Sequence, residues 1–220
     1  MRTFKILTVV AIAFLGLTSC SNDDDAPQLL EVESELVSNL FAPTTSVNGP
    51  MGPTPDGGDF TKFNFSTGTT TTSETDWDIA FRATTIAVNG GVETGTDDEP
   101  VRNGNAAVYI SENTFAEVTQ VNTTLFNQDS ANGFAITPSS DLGWYNYSGF
   151  GNPNPADDNL IRPIAGRVLV FRTRDGRYAK VEILSYYENN PETPNGFTDT
   201  PRYYTFNYVY QPNEDVTTFE

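Results

Sequence analysis

The chain of 220 residues contains no histidine. Without an imidazole there is no Ser–His–Asp triad, no Cys–His pair, no histidine general base and no imidazole ligand for zinc. Cysteine is nearly as scarce. Cys20 is the only one, so no disulfide forms within the chain and no thiolate cluster holds a metal. Basic residues are few: 12 Lys and Arg stand against 29 Asp and Glu, a formal charge of −17 at pH 7. That charge repels phosphate backbones and anionic lipid, which argues against nucleic acid as a partner and favours solubility outside the cell. Enzyme chemistry would have to rest on paired carboxylates, tyrosine or lysine. Acids are plentiful, yet no pair is singled out by its spacing, and the chain reads as a non-enzyme.

The one long apolar run opens the chain. Arg2 and Lys5 precede an almost unbroken apolar stretch over residues 6–17, the layout of a secretory signal and too short for a bilayer span of about 20 residues. Leu17-Thr18-Ser19-Cys20 closes it. Small residues before such a cysteine resemble a lipobox, in which the thiol is acylated and becomes the new N-terminus. Residues 1–19 are then the signal peptide and Cys20 the lipidation site. Ser21-Asn22-Asp23-Asp24-Asp25 follows; it is similar to the signal that sends some lipoproteins to the outer surface of Gram-negative bacteria, and it also reads as a solvated, self-repelling tether. The expectation is an outer-membrane lipoprotein exposed at the surface. Removing Arg2 and Lys5 and no acid leaves 10 basic residues against 29 acidic ones, a charge of −19. The remaining 201 residues (220 less 19) suit one domain, since a chain near this size buries about 70% of its unfolded surface.

Residues 20–58 read as the lipidated tether and an N-terminal segment. Leu29, Val32, Leu36 and Leu40 lie at helical spacing, which predicts a short helix over 28–41, with a strand over 35–41 as the alternative. Residues 48–59 hold four glycines and three prolines and read as a loop or linker. Beyond it the pattern turns β. Residues 60–65 and 77–81 alternate aromatic or aliphatic with polar residues, and 85–88, 108–110, 115–121 and 203–210 are further strands. Asp175-Gly176 between two β-rich runs (167–174 and 177–184) is the clearest hairpin. The fold class expected is all-β: a single antiparallel domain over 59–220, preceded by a short N-terminal helix or strand and a lipidated tether.

Several segments stand together in a familiar order. Trp77-Asp78-Ile79-Ala80-Phe81 with Val88-Asn89-Gly90-Gly91, Phe115-Ala116-Glu117-Val118, Gly143-Trp144, Asp175-Gly176-Arg177-Tyr178-Ala179-Lys180-Val181 and Tyr204-Thr205-Phe206-Asn207-Tyr208-Val209-Tyr210 resemble the HmuY-like lipoproteins, from about residue 60 to 210. The resemblance implies an all-β surface or secreted protein that captures haem and passes it to an outer-membrane receptor. It also implies two axial side chains on the iron, a histidine pair in the best-known members and methionine in some relatives. Carried over residue by residue, the second ligand position falls on Gly149 and the first near Ala106. The usual iron clamp is missing.

Substitutes are available by residue type. Tyr145 and Tyr147 flank the second position and Tyr109 is near the first; Met51 is the methionine left after the signal is removed. Phenolate and thioether both ligate haem iron, while the plainer alternative for each tyrosine is a half-buried strand residue with its hydroxyl turned to water. Arg172 and Arg174 share a face on a strand and suit haem propionates or the surplus acids around them. No other metal site is expected, because the acidic stretches at 95–99, 127–133 and 157–159 lack the spacing of a calcium loop. The expected function is a surface lipoprotein that binds haem or a related tetrapyrrole for uptake, without histidine ligands. The alternative is a lipoprotein on the same fold that binds a receptor, a glycan or another small apolar ligand.

Overall fold

In a computed structural model, residues 28–49 and 52–220 are described; Cys20 and Met51 lie outside them. The described residues form thirteen strands and one short 3₁₀ turn, Pro155–Asp157, so the fold is all-β. In chain order the strands are β1 (Glu33–Phe41), β2 (Thr45–Gly49), β3 (Gly52–Gly57), β4 (Thr61–Asn64), β5 (Thr69–Thr71), β6 (Ile79–Arg82) and β7 (Thr85–Val88). There follow β8 (Ala107–Ser111), β9 (Tyr145–Tyr147), β10 (Ile161–Pro163), β11 (Val168–Arg172), β12 (Tyr178–Tyr187) and β13 (Pro201–Gln211). A five-stranded sheet runs β1-β13-β12-β11-β8 and a four-stranded one β5-β4-β6-β7; β9–β10 and β2–β3 are separate ribbons. All strand pairs are antiparallel.

The alternation in the sequence explains the layering. Tyr204, Phe206, Tyr208 and Tyr210 of β13 share an inner face with Leu169 and Phe171 of β11 and with Ala179, Val181 and Ile183 of β12. They meet Phe63, Phe65, Ile79, Phe81, Ile86 and Val88 of the smaller sheet and the residues beside it. Ring pairs cross the interface: Phe63–Phe206 at 5.5 Å, Phe65–Phe171 at 5.4 Å and Phe81–Phe206 at 5.8 Å. On the other face of the large sheet, Val168, Val170 and Val209 are covered by Val118, Val121 and Phe219. Lys180 also enters that layer, where its ammonium donates to the Phe115 and Val118 carbonyls at 2.7 and 2.8 Å. Burial lowers its pKa.

Three expectations are corrected. Residues 33–41 are a strand, not a helix: β1 pairs with β13 from Glu33↔Tyr210 to Phe41↔Tyr203. A register shift between Val37 and Leu40, with Asn39 at φ +57°, breaks the period of two. The apparent helical spacing comes from Leu29 and Leu36, which are exposed and do not share a buried face with Leu40. Residues 48–59 are not a plain linker, because β2 and β3 pair from Thr45↔Gly57 to Gly49↔Gly52; prolines are tolerated in a ribbon with free edges. Residues 115–117 form a turn in place of a strand, and of the expected strand only an isolated antiparallel bridge, Gln120↔Thr218, is formed. Glu117 accepts from the Thr114 amide and hydroxyl at 2.9 and 2.8 Å, a local side-chain-to-backbone bond that competes with extended backbone. The Asp175-Gly176 hairpin stands with a longer turn: the Thr173 amide donates to the Arg177 carbonyl and Gly176 takes φ +91°.

Candidate functional site

Strand direction in the large sheet sorts the molecule into two ends. At one end the 188–200 loop joins β12 to β13, and the β9–β10 ribbon leans on it: the Ile161 amide donates to the Tyr187 hydroxyl at 3.0 Å. At the other end Gln211 pairs with Tyr178, and the N-terminal segment is clasped there by Asn213, which accepts from the Leu30 amide and donates to its carbonyl at 2.8 and 2.7 Å. Strand β1 runs between the ends, about 30 Å at 3.4 Å per residue.

The β9–β10 end carries the features of a site. Asn159 is its hub. Its side chain accepts from the Tyr147 hydroxyl at 2.9 Å and donates to the Gly196 carbonyl at 2.8 Å, while its amide donates to the Gly149 carbonyl at 2.7 Å. Three segments are thereby tied together. Gly196 has to be glycine there, since a Cβ would stand 2.2 Å from the Asn159 carbonyl oxygen. Asn39 and Asn189 make a second clasp, side chain to side chain at 3.1 Å and amide to side chain at 2.7 Å. Of the nine described non-glycine residues with positive φ, Asn39, Asp141, Asn159, Asn189, Asn190 and Arg202 belong to this end. Backbone strain of this kind concentrates where geometry is held for a ligand.

On this frame apolar side chains are turned outward. Phe150 is 80% exposed and Phe197 57% exposed, and their rings meet edge to face at 6.0 Å. Leu142 and Tyr147 are exposed as well. The same end of the sheet carries a cleft of about 630 Å³ between β10, the end of β12 and residues 190–194, lined by Arg162, Glu182 and Glu192 among apolar side chains, within the range of about 300–1,000 Å³ usual for small-molecule sites. Arg162 stands at that cleft, half-exposed, paired with Asp157 at 2.8 Å. Behind it lies a buried aromatic block: Trp144 contacts Tyr145, Tyr186 and Tyr204 at 5.0, 5.8 and 5.1 Å, and its indole donates to the Thr84 carbonyl at 2.9 Å. A larger depression of about 850 Å³ against β4 and β5 is lined by threonines and by Asp59, Glu74, Asp98 and Glu99. Its carboxylates suit neither an apolar ring nor an anion.

The sequence-predicted residues divide between the ends. Tyr145 and Tyr147 belong to β9; Tyr145 is buried with its hydroxyl donating to the Pro138 carbonyl at 3.2 Å. Tyr109 lies on the opposite face of the large sheet, tilted against Phe126 at 5.3 Å, its hydroxyl accepting from the Asn122 amide at 3.0 Å. Arg172 and Arg174 stand at the far end. Arg172 donates to the Asn105 carbonyl and side chain at 2.8 and 3.0 Å, and Arg174 pairs with Asp76 and Asp78. Ala106 is fully buried. Gly149 has φ +84°, and a Cβ there would meet nothing within 4 Å. Burial raises the pKa of Tyr186, Tyr187 and Tyr204, which works against phenolate formation inside the aromatic block. Among the described residues no group of three or more His, Cys, Asp or Glu is placed to hold a metal ion.

The site residues that sequence reasoning missed are Phe150, Phe197 and Asn159. Phe150 and Phe197 sit among Gly, Pro and Asn, where no periodicity marks them. A lone aromatic in such a loop was the available signal.

Among the described residues at this end, the Tyr145 and Tyr147 hydroxyls are bonded to the Pro138 carbonyl and the Asn159 side chain, and Gly149 has no side chain to offer. Two exposed aromatic rings gather at this end of the fold, where Arg162, paired with Asp157 and the Ala156 carbonyl, lines the cleft.

A family model described as HmuY protein matches residues 57–208. No curated protein matches the chain. Among solved structures, the apo HmuY analog of Tannerella forsythia is 17% identical, with 84% of this chain and 99% of that one covered at a TM-score of 0.40. A protein of Bacteroides vulgatus assigned as an HmuY-like heme-binding protein is 14% identical, with 83% and 93% covered at 0.41. A Bacteroides fragilis protein assigned as a lipoprotein is 15% identical, with 70% and 85% covered at 0.42.

Proposed function

The chain belongs to the HmuY family, and from that premise we propose that it is a surface lipoprotein that captures haem or a related tetrapyrrole at the β9–β10 end for uptake. The observation that carries this reading is the pair Phe150–Phe197, two exposed rings on tied loops at the end of the sheet that also carries a cleft of about 630 Å³. Exposed aromatics on an ordered frame lose little entropy when they stack on a flat ring. Arg162 supplies the cation for the ring's carboxylates, in a molecule whose surplus of acid otherwise repels them. The role is binding, not catalysis: the chain has no histidine base, and the site gathers apolar surface in place of paired proton donors and acceptors.

Lipid on Cys20 fits this arrangement. The N-terminal segment is clasped at the end of the sheet away from the site. Residues 21–28 reach at most about 30 Å from the anchor. The Asn213 end therefore faces the membrane and the β9–β10 end faces a receptor.

The test is a ferric haem titration of the chain from Ser21 onward, followed by absorbance and by quenching of tryptophan fluorescence. A saturable Soret shift with quenching of Trp144 supports the reading. A spectrum matching haem with an unrelated acidic protein overturns it. The second reading, a partner-docking lipoprotein on the same fold, is favoured by the exposure of Phe150, and it takes over on that outcome.

A further inference from the structure

Resting on the reading above, we propose that the β9–β10 end selects the macrocycle and not its metal, so that a metal-free porphyrin carrying carboxylates binds as well as ferric haem. The argument starts from what each nearby group is doing. The exposed Tyr147, three residues before Phe150, donates its hydroxyl hydrogen bond to Asn159 at 2.9 Å, and Asn159 is held in turn by the Gly196 carbonyl. That hydroxyl is engaged with Asn159, whereas a ligand to ferric iron must turn its oxygen to the metal. Tyr145 donates to the Pro138 carbonyl from a buried position, and the Tyr187 hydroxyl already accepts the Ile161 amide. Gly149 brings no donor, and no neighbouring atom fills the space a Cβ would take. Among the described residues at this end, none of these groups turns a free donor toward a ligand.

What remains is indifferent to the centre of the ring. Phe150 and Phe197 present carbon faces and edges, which contact the π-system of a porphyrin whether or not a metal occupies it. Arg162 recognises carboxylates at the periphery, which haem and its metal-free parent share. A site built this way gains affinity from area and charge and loses the discrimination that an axial bond confers. The chain would thus take up porphyrins that a ligating relative rejects.

The experiment titrates the chain from Ser21 onward, which holds every described residue, with ferric haem, zinc protoporphyrin and metal-free protoporphyrin, read by tryptophan quenching and absorbance. The expected result is three dissociation constants within about threefold of each other. Phe150→Ala and Phe197→Ala each weaken all three equally, by about two- to twelvefold, while thermal midpoints stay unchanged because both rings are exposed. Ferric haem binding more than about tenfold tighter than the metal-free ring, with the difference removed by Met51→Leu or Tyr147→Phe, overturns the inference and leaves tetrapyrrole capture standing. Absence of binding by all three overturns tetrapyrrole capture itself, and the inference with it.

Discussion

Replacing Asp78 tests how the two sheets are locked. Its carboxylate is buried where β6 begins and accepts from three donors: the Phe65 amide at 2.9 Å, the Arg174 amide at 2.9 Å and the Arg174 guanidinium at 3.2 Å. Phe65 follows β4 in the small sheet, and Arg174 lies in the turn between β11 and β12 of the large one. In Asp78→Ala two backbone amides lose their partners, at about 1–3 kcal/mol each when buried. Arg174 keeps Asp76 and some solvent, so its share is smaller. The sum is about 3–5 kcal/mol, the range for removing one side of a buried pair. For a domain of this size that lowers the midpoint of thermal unfolding by about 6–20 °C, measured by circular dichroism on the chain from Ser21 onward. Asp78→Asn keeps the shape and one carbonyl acceptor and should lie between the two. Burial, opposed by the Arg174 and Phe65 amides, holds the pKa above its ordinary 3.8. The folded state therefore binds this proton more tightly than the unfolded state. The stability that Asp78 contributes is greatest below pH 3.8 and declines as pH rises through the raised value. The margin of wild type over Asp78→Asn should narrow in that same direction. A loss below about 0.5 kcal/mol in Asp78→Ala, the size of a surface substitution, would refute the lock.

Two further predictions follow from the N-terminal strand. A fragment of residues 59–220 lacks β1, and with it the buried Leu40 and the cover on the β13 edge. It should unfold at lower urea than the 28–220 fragment, by at least about 1.5 kcal/mol from Leu40 alone, and should self-associate through the bare edge; equal midpoints would show that β1 is dispensable. On vesicles bearing the lipidated chain, a membrane-impermeant thiol reagent should label Phe197→Cys as fast as in solution and Val216→Cys more slowly. Equal slowing at both positions would contradict the orientation.

Most of the β-architecture was legible because alternation survives in the sequence wherever one face is buried. Trp77 to Phe81 and the run of tyrosines from Tyr204 to Tyr210 show this, as does the hairpin at Asp175-Gly176. It failed where exposed apolar residues or a local contact obscured the period. Exposed Leu29 and Leu36 completed an apparent helical period where the chain forms β1, and the Thr114–Glu117 contact bent the start of an apparent strand into a turn. The site was legible only in part. Tyr145 and Tyr147 do lie at the end that carries the cleft. Arg172 and Arg174, adjacent on paper, are bound by Asn105 and by Asp76 and Asp78 at the other end. Period-two spacing says which face a residue takes but not which end of the strand faces a ligand. Phe150, Phe197 and Asn159 became meaningful only when chain closure brought the 148–160 and 188–200 loops together.

The central claim is the place of binding, and hydrogen exchange of the chain from Ser21 onward, with and without ferric haem, tests it most directly. Slowed exchange confined to residues 147–150, 159–163 and 194–197 is the predicted result. Protection centred instead on Asn105, Arg172 and Arg174, with the β9–β10 end unchanged, would contradict it.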